Sequence, residues 1–247
     1  MSISTVLRGR TALVTGATAG IGKAVAQNLA RQGAQVVLHG RDQARGEALV
    51  TEIAAEGGTA RFIAADLTDA ADTLRLAAEA GAVDVLVNNA GLYDFAPTAA
   101  TDAATFDRQI AVNTRAPFLL VGALAPGMAE RGQGSIVIVG SNAARMPAPV
   151  GAAYAASKAG AEILTRYWAT EFGASGVRVN TVSPGPVRTE GTKAMLGENT
   201  AMLDRTNARG RAGDPGEIVS FLVGPASSYV NGAILFADGG ELSALPA

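Results

Sequence analysis

The 247-residue chain is 48% hydrophobic and 17% charged, with a formal net charge of −2, one histidine and no cysteine, a composition that indicates a well-buried globular protein rather than a disordered one. Scattered basic residues near neutrality exclude a nucleic-acid footprint and a polybasic membrane patch, and the missing cysteines exclude disulfides, thiolate catalysis and zinc held by sulfur. The lone His39, at a strand end beside Gly40 and Arg41 with no nucleophile-elbow pattern in the chain, argues against a serine hydrolase triad, and no metal site is expected.

The opening residues carry no apolar stretch of signal-peptide length, and no segment reaches about 18 uninterrupted apolar residues, so a cytoplasmic protein with no membrane partner is expected. The first predicted strand, Thr11–Thr15, runs into a turn with Gly16, Gly20 and Gly22 and then an Ala-rich helix to about Gln32. Such glycines let the backbone approach a dinucleotide pyrophosphate, whose charge the helix N-terminus meets. The spacing departs from GxGxxG, and the same glycines also suit a plain turn. A second strand, Gln35–His39, is followed by Gly40 where an NAD site would place an acidic residue, and then by Arg41, whose guanidinium suits a 2′-phosphate. NADP(H) is therefore favoured, NAD(H) being the other cofactor of such a site. A solvated Arg41 paired with Asp42 is the alternative.

Further strands are predicted at Ala60–Ala64, Val83–Asn88, Ser135–Val139, Val177–Val182 and Ile234–Phe236, most of them continuous apolar runs as expected of a sheet covered on both faces. Seven strands with intervening helices, no repeat and no linker predict a single α/β domain over 1–247 with a doubly wound, Rossmann-like parallel sheet. The rhythm breaks between Pro184 and Asp214, a connection long enough to be a substrate loop carrying short helices. In GAAYAASKAGAEILTRYW, helical spacing puts Tyr154 and Lys158 on one face. A neighbouring ammonium stabilises phenolate and brings a phenol, ordinarily near pKa 10, toward the working range. Taken alone, the pair also fits an exposed helix.

The glycine turn, NNAG at Asn88 to Gly91, Asn113, Ser141 thirteen residues before Tyr154, the Tyr154/Lys158 pair, PGPVRT from Pro184 to Thr189 and DGG at Asp238 to Gly240 together resemble the short-chain dehydrogenase/reductase family in order and spacing. The resemblance implies hydride transfer between a nicotinamide cofactor and a small to medium, neutral ketone or secondary alcohol. Tyr154 would donate or take the proton, Lys158 would lower its pKa and hold the nicotinamide ribose, Ser141 would bond the substrate oxygen, and Asn113 would hold a relay water. The cofactor would lie against Gly16, Thr18, Gly20, Ile21, Gly22, Gly40 and Arg41, with Asp66 and Leu67 at the adenine. Asn89, Ala90 and Gly91 would meet its middle, and Pro184, Gly185, Val187 and Thr189 the carboxamide. Read singly, Asn88 and Asn89 also suit strand-end turns, Asn113 a backbone-satisfied buried amide and Ser141 a turn serine.

Residues expected to face substrate are Leu92, Tyr93, Asn142 to Pro147, Val150, Pro186, Met195, Leu196, Met202 and Leu203, with Arg145 the one anchor available for an anion. A homo-oligomer, tetramer or dimer, is implied, but the late helix lacks about one turn between Ile218 and Phe221, which weakens the tetramer. Two alternatives stand beside the enzyme: a non-catalytic dinucleotide sensor of the same fold, and dehydration or epimerisation of a nucleotide sugar, for which the substrate region is short.

Overall fold

The structure, a computed structural model, describes residues 6–147, 151–197, 199, 203–204, 207–213 and 219–240. Seven strands build one sheet: β1 (Thr11–Val14), β2 (Gln35–Gly40), β3 (Thr59–Ala64), β4 (Val85–Asn88), β5 (Gly134–Val139), β6 (Val177–Pro184) and β7 (Ile234–Ala237). Their order is β3-β2-β1-β4-β5-β6-β7, and every neighbouring pair is parallel. The doubly wound expectation holds, and the order reverses between β1 and β4, where such sheets open a crevice at the carboxyl ends of their strands.

The helices are α1 (Gly20–Arg31), α2 (Gln43–Ala55), α3 (Ala70–Ala80), α4 (Ala103–Ile110), α5 (Ala116–Glu130), α6 (Ala152–Gly173), α7 (Glu190–Leu196) and α8 (Ser220–Val223). Apolar residues fill both faces of the strands because alternate side chains point to opposite sides. Leu13, Val37, Leu86, Ile136 and Ile138 join the cluster under α3, α5 and α6. Their neighbours Val14, Val36, Leu38, Val85, Val87, Val137 and Val139 join the one under α1, α2 and α8. Between α4 and α5 the chain makes a π turn, Ala111–Arg115, so that residues 103–130 form one continuous helix, long and apolar enough by composition to cross a membrane. Its Leu120, Val121, Ala125 and Met128 are nevertheless buried against the sheet.

Every strand differs from expectation at one end, five of them by one residue and the fourth and sixth by two. The fourth strand begins at Val85, and Asp84 before it pairs with Thr11 through both its backbone amide and its carboxylate. The sixth runs on to Pro184, so the long connection starts at Gly185. It carries α7, as anticipated; the late helix α8 has four residues within the described chain, and Ile218 and Asp214 lie outside it.

Candidate active site

At the β1/β4 crevice the glycine turn is held from two sides. Thr15 Oγ accepts hydrogen bonds from the amides of Asn89 and Ala90, both at 3.0 Å, while Asn89 Nδ2 donates to the carbonyls of Thr15 and Gly16 at 2.9 and 3.1 Å. On the other side the amide of Gly16 donates to His39 Nδ1 at 3.2 Å, and His39 Nε2 lies 3.1 Å from the carbonyl of Ala65. Burial pushes His39 below its ordinary value, which keeps the ring neutral with Nε2 as donor. The only histidine therefore holds the turn. Gly16 and Gly20 have φ of +64° and +54°, which favours glycine.

The turn leads into an N-terminus that the protein leaves open. Asp42, Asp69 and Asp102 cap α2, α3 and α4 with their side chains, but Ala19 before α1 supplies no side-chain acceptor and the first turn of α1 carries no acid. Free amides and the positive end of the helix dipole at that point suit an anion. Thr18 lies against Gly40: a Cβ added at Gly40 would sit 2.7 Å from the Thr18 methyl. An acidic side chain at position 40, where an NAD site would use one, would have to displace the Thr18 side chain. Arg41 is exposed and has no ion-pair or side-chain hydrogen-bond partner among the described residues. Asp42 accepts from the Arg45 amide instead, which removes the Arg41–Asp42 surface pair. Farther along, Asp66 is exposed, whereas Leu67 is buried in the core.

The catalytic candidates meet where β5 ends under α6. Successive turns of the helix touch successive residues of the strand exit: Tyr154 faces the Ser141 hydroxyl, Lys158 Nζ donates to the carbonyl of Val139 at 2.8 Å, and Glu162 lies against Gly140. Lys158 Nζ is 6.0 Å from the Tyr154 ring centroid, so the two side chains share one face with room at the crevice between them. Burial pulls Lys158 down to about 8, opposed by the nearby Glu162 carboxylate. Burial also raises Tyr154, against the lowering effect of the Ser141 hydroxyl. Desolvation thus pushes both groups toward neutrality, and a charge on either must be stabilised by the other.

Asn113 sits in the π turn, a helical irregularity common at functional sites. Its Oδ1 accepts from the Leu92 amide at 2.8 Å, and its Nδ2 donates to the carbonyl of Leu92 and to Ser157 Oγ, both at 2.8 Å. The side chain therefore ties the segment after NNAG to α6. Gly91 fits close by, since a Cβ there would lie 3.4 Å from Asn113 Oδ1 and 3.5 Å from Lys158 Nζ. An aromatic wall faces Tyr154: Phe95 packs edge-on at 5.5 Å and Tyr93 follows at 5.7 Å from Phe95.

The described residues of the long connection lie against this crevice. Gly185 packs on Asp238, where a Cβ would come within 2.7 Å, and Val187 is buried and bridges to Gly213. Thr189 caps α7 in a reciprocal box with Thr192 and reaches the glycine turn at Gly20, while Gly191 faces the Tyr93 hydroxyl. Arg145 is not free to anchor an anion, because it pairs with Glu162 at 3.2 Å and lies 4.7 Å over the Phe236 ring. Val150 and Met202 lie outside the described residues, as do the side chains of Met195 and Leu196. Thr15, His39, Phe95, Ser157 and Glu162 belong to the site without having stood out in the sequence. Of these Glu162 had a signal, four residues beyond Lys158 on the same helical face.

A family model described as short chain dehydrogenase matches residues 10–199. D-threitol dehydrogenase of Mycolicibacterium smegmatis is 38% identical over 242 residues, covering 95% of this chain and 93% of that protein. Galactitol 2-dehydrogenase (L-tagatose-forming) of Cereibacter sphaeroides is 40% identical over 253 residues, covering 97% and 98%. Among solved structures, a 3-oxoacyl (acyl-carrier-protein) reductase from Agrobacterium tumefaciens with NADP bound is 37% identical, with a TM-score of 0.90 over 97% of each chain.

Proposed function

This chain belongs to the short-chain dehydrogenase/reductase family, and we propose that it is an NADP(H)-linked oxidoreductase interconverting a secondary alcohol and a ketone, with Tyr154 giving or taking the proton. The observation that carries this reading is the convergence of Ser141, Tyr154 and buried Lys158 at the strand exit beside an uncapped helix N-terminus. Gly16, Thr18, Gly20, Ile21 and Gly22 would hold the diphosphate with the amides of α1, and Arg41 the 2′-phosphate. Asp66 and the backbone of buried Leu67 would border the adenine, and Asn89 to Gly91 the middle of the cofactor. Lys158 would hold the nicotinamide ribose, and Pro184, Gly185, Val187 and Thr189 the carboxamide. The bound nicotinamide supplies or accepts the hydride.

In the reducing direction Ser141 Oγ hydrogen-bonds the carbonyl oxygen, and Tyr154 Oη delivers the proton to it. The ammonium of Lys158, largely protonated at neutral pH, makes the resulting phenolate affordable in a buried site. Both Nδ2 protons of Asn113 are donated and Oδ1 already accepts from Leu92, so a relay water would be held by its backbone carbonyl. Phe95, edge-on to Tyr154, and Tyr93 beyond it would give the reacting face an aromatic border. With Arg145 committed, the pocket suits a neutral substrate of small to medium size. The relatives named for threitol and galactitol support an acyclic polyol or its ketone.

A panel of secondary alcohols, polyols and their ketones, followed by the absorbance of the reduced nicotinamide with NADPH and NADH in parallel, tests this reading. Turnover with NADPH supports it, and neither turnover nor NADPH binding would overturn it. Replacing Arg41 with Ala is expected to raise KM for NADPH about 10- to 50-fold, the worth of one or two charge-assisted hydrogen bonds, and to leave NADH nearly unchanged. Equal use of both cofactors by the wild type would refute the role given to Arg41.

We also propose a homo-oligomer built on the α5/α6 face, where Phe118, Ile163 and Tyr167 are 52%, 50% and 70% exposed around buried Trp168. Light scattering is expected to report a dimer or tetramer, and Ile163→Glu with Tyr167→Glu to reduce it. A wild-type monomer at micromolar concentration would reject the interface.

A further inference from the structure

Glu162 is a carboxylate buried beside the reaction centre that the chemistry above does not use. Its side chain is 6% exposed, a costly position for a charge unless it is paired and hydrogen-bonded. Both needs are met. Oε2 accepts from Arg145 Nε at 3.2 Å and Oε1 accepts from Ser183 Oγ on β6 at 3.1 Å. The carboxylate also fills the space beside Gly140, where a Cβ would lie 2.8 Å from Oε1.

Its partners are not arbitrary ones. Gly140 directly precedes Ser141, and Arg145 ends the short 3-10 turn Asn142–Ala144 that follows it, so Glu162 grips the Ser141 loop at both ends. The same loop is tied from the other side, where Asn142 Nδ2 donates to Asp238 at 2.9 Å. Along α6, Tyr154, Lys158 and Glu162 form one stripe at helical spacing, and they rest on Ser141, Val139 and Gly140 in turn.

We propose that Glu162 is a positioning residue of the reaction, which rests on the oxidoreductase reading: through Arg145 it fixes the loop presenting Ser141, and through its charge it keeps the buried Lys158 an ammonium. The groups facing this stripe are Tyr93 and Asn113 across the crevice, Arg145 and Asn142 from the Ser141 loop, Ser183 from β6 and Asp238 after β7. Glu162 is the carboxylate acting on Lys158, and it opposes the burial that draws the lysine down to about 8. Arg145 balances Glu162 in turn. The sign follows: neutralising Glu162 leaves the ammonium with Arg145 but no anion, so Lys158 releases its proton at lower pH, whereas neutralising Arg145 frees the carboxylate to act on Lys158 and moves the release to higher pH.

The chain contains three lysines, Lys23, Lys158 and Lys193, so an NMR titration of lysine-labelled, cofactor-free protein resolves Lys158, with K158M for assignment. Glu162→Gln keeps the shape and the Ser183 partner. It is expected to weaken proton binding at Lys158 by about tenfold, one pH unit, and to move the alkaline limb of kcat for ketone reduction downward with it. Arg145→Met is expected to shift both in the opposite direction. Titration unmoved in folded E162Q overturns the proposal, and so does a shift of the same sign in both variants; should R145M fail to fold, E162Q alone decides. The NMR arm reads Lys158 without turnover, so a protein that shows the shift but reduces no substrate would sink the oxidoreductase reading and leave the electrostatic role standing.

Discussion

Replacing Tyr154 with Phe is expected to lower kcat by roughly 10³- to 10⁴-fold, the upper part of the range for a positioned general acid or base, while the Kd for NADPH stays within about twofold. The geometry makes this substitution unusually clean. Only the hydroxyl disappears, the ring keeps its edge-on contact with Phe95, and Lys158 keeps its bond to Val139. Ser141 Oγ keeps the amide of Ala143 as its donor, so the change should cost about 1 kcal/mol of stability or less. A fall of less than about tenfold, below what proton transfer by a side chain contributes, would reject Tyr154 as the proton donor. The second phenol at the crevice, Tyr93, is the natural control. Tyr93→Phe should change kcat by no more than a few-fold, because Lys158 lies beside Tyr154 and no cation contact of Tyr93 is found among the described residues. Collapse of activity in Y93F with little effect in Y154F would exchange their roles.

Much of this arrangement could be read from the chain because the signals are local. Each strand is a run of β-branched and apolar residues bounded by glycine or a turn, and each catalytic candidate occupies a strand end or a helical stripe that spacing alone defines. What escaped was non-local. His39 was legible only as a residue unable to serve a hydrolase, since its work depends on Gly16 and Ala65 converging on it from other strands. Arg145 looked like an anion anchor because nothing in the sequence places it against Glu162, seventeen residues away on another element. Asn113 was expected to hold a relay water, and the π turn that sets its amide on Leu92 and Ser157 is a distortion that composition does not announce. The meaning of Gly40 also changed. Its lack of an acid suggested NADP(H), and the structure adds that a larger residue there would have to displace Thr18.

The glycine turn should be the least tolerant part of the molecule, and Gly22→Ala tests it most severely. A methyl at position 22 would stand 2.2 Å from the carbonyl oxygen of Gly16 and 2.4 Å from Asn89 Nδ2. Neither neighbour can yield alone. The Gly16 carbonyl is backbone held by Asn89, and Asn89 is itself bonded to Thr15 and Gly16, so relieving the clash moves the turn, the β4 exit and the start of α1 together. Overpacking of this kind costs about 1–3 kcal/mol, which in a chain of this size lowers Tm by roughly 2–12 °C. The larger effect should be on the cofactor. Displacing two amides that would meet the diphosphate forfeits charge-assisted hydrogen bonds, and NADPH should bind about 10²-fold more weakly or worse. Gly122→Ala on α5 is the matched control, since nothing lies within 4 Å of the added methyl and a helical alanine should stabilise by about 0.5–1 kcal/mol. Calorimetric titration with NADPH and thermal melts of both variants separate the outcomes. Near-normal NADPH binding in a folded G22A protein would mean that the dinucleotide does not lie on this turn, and the cofactor placement would fail with it.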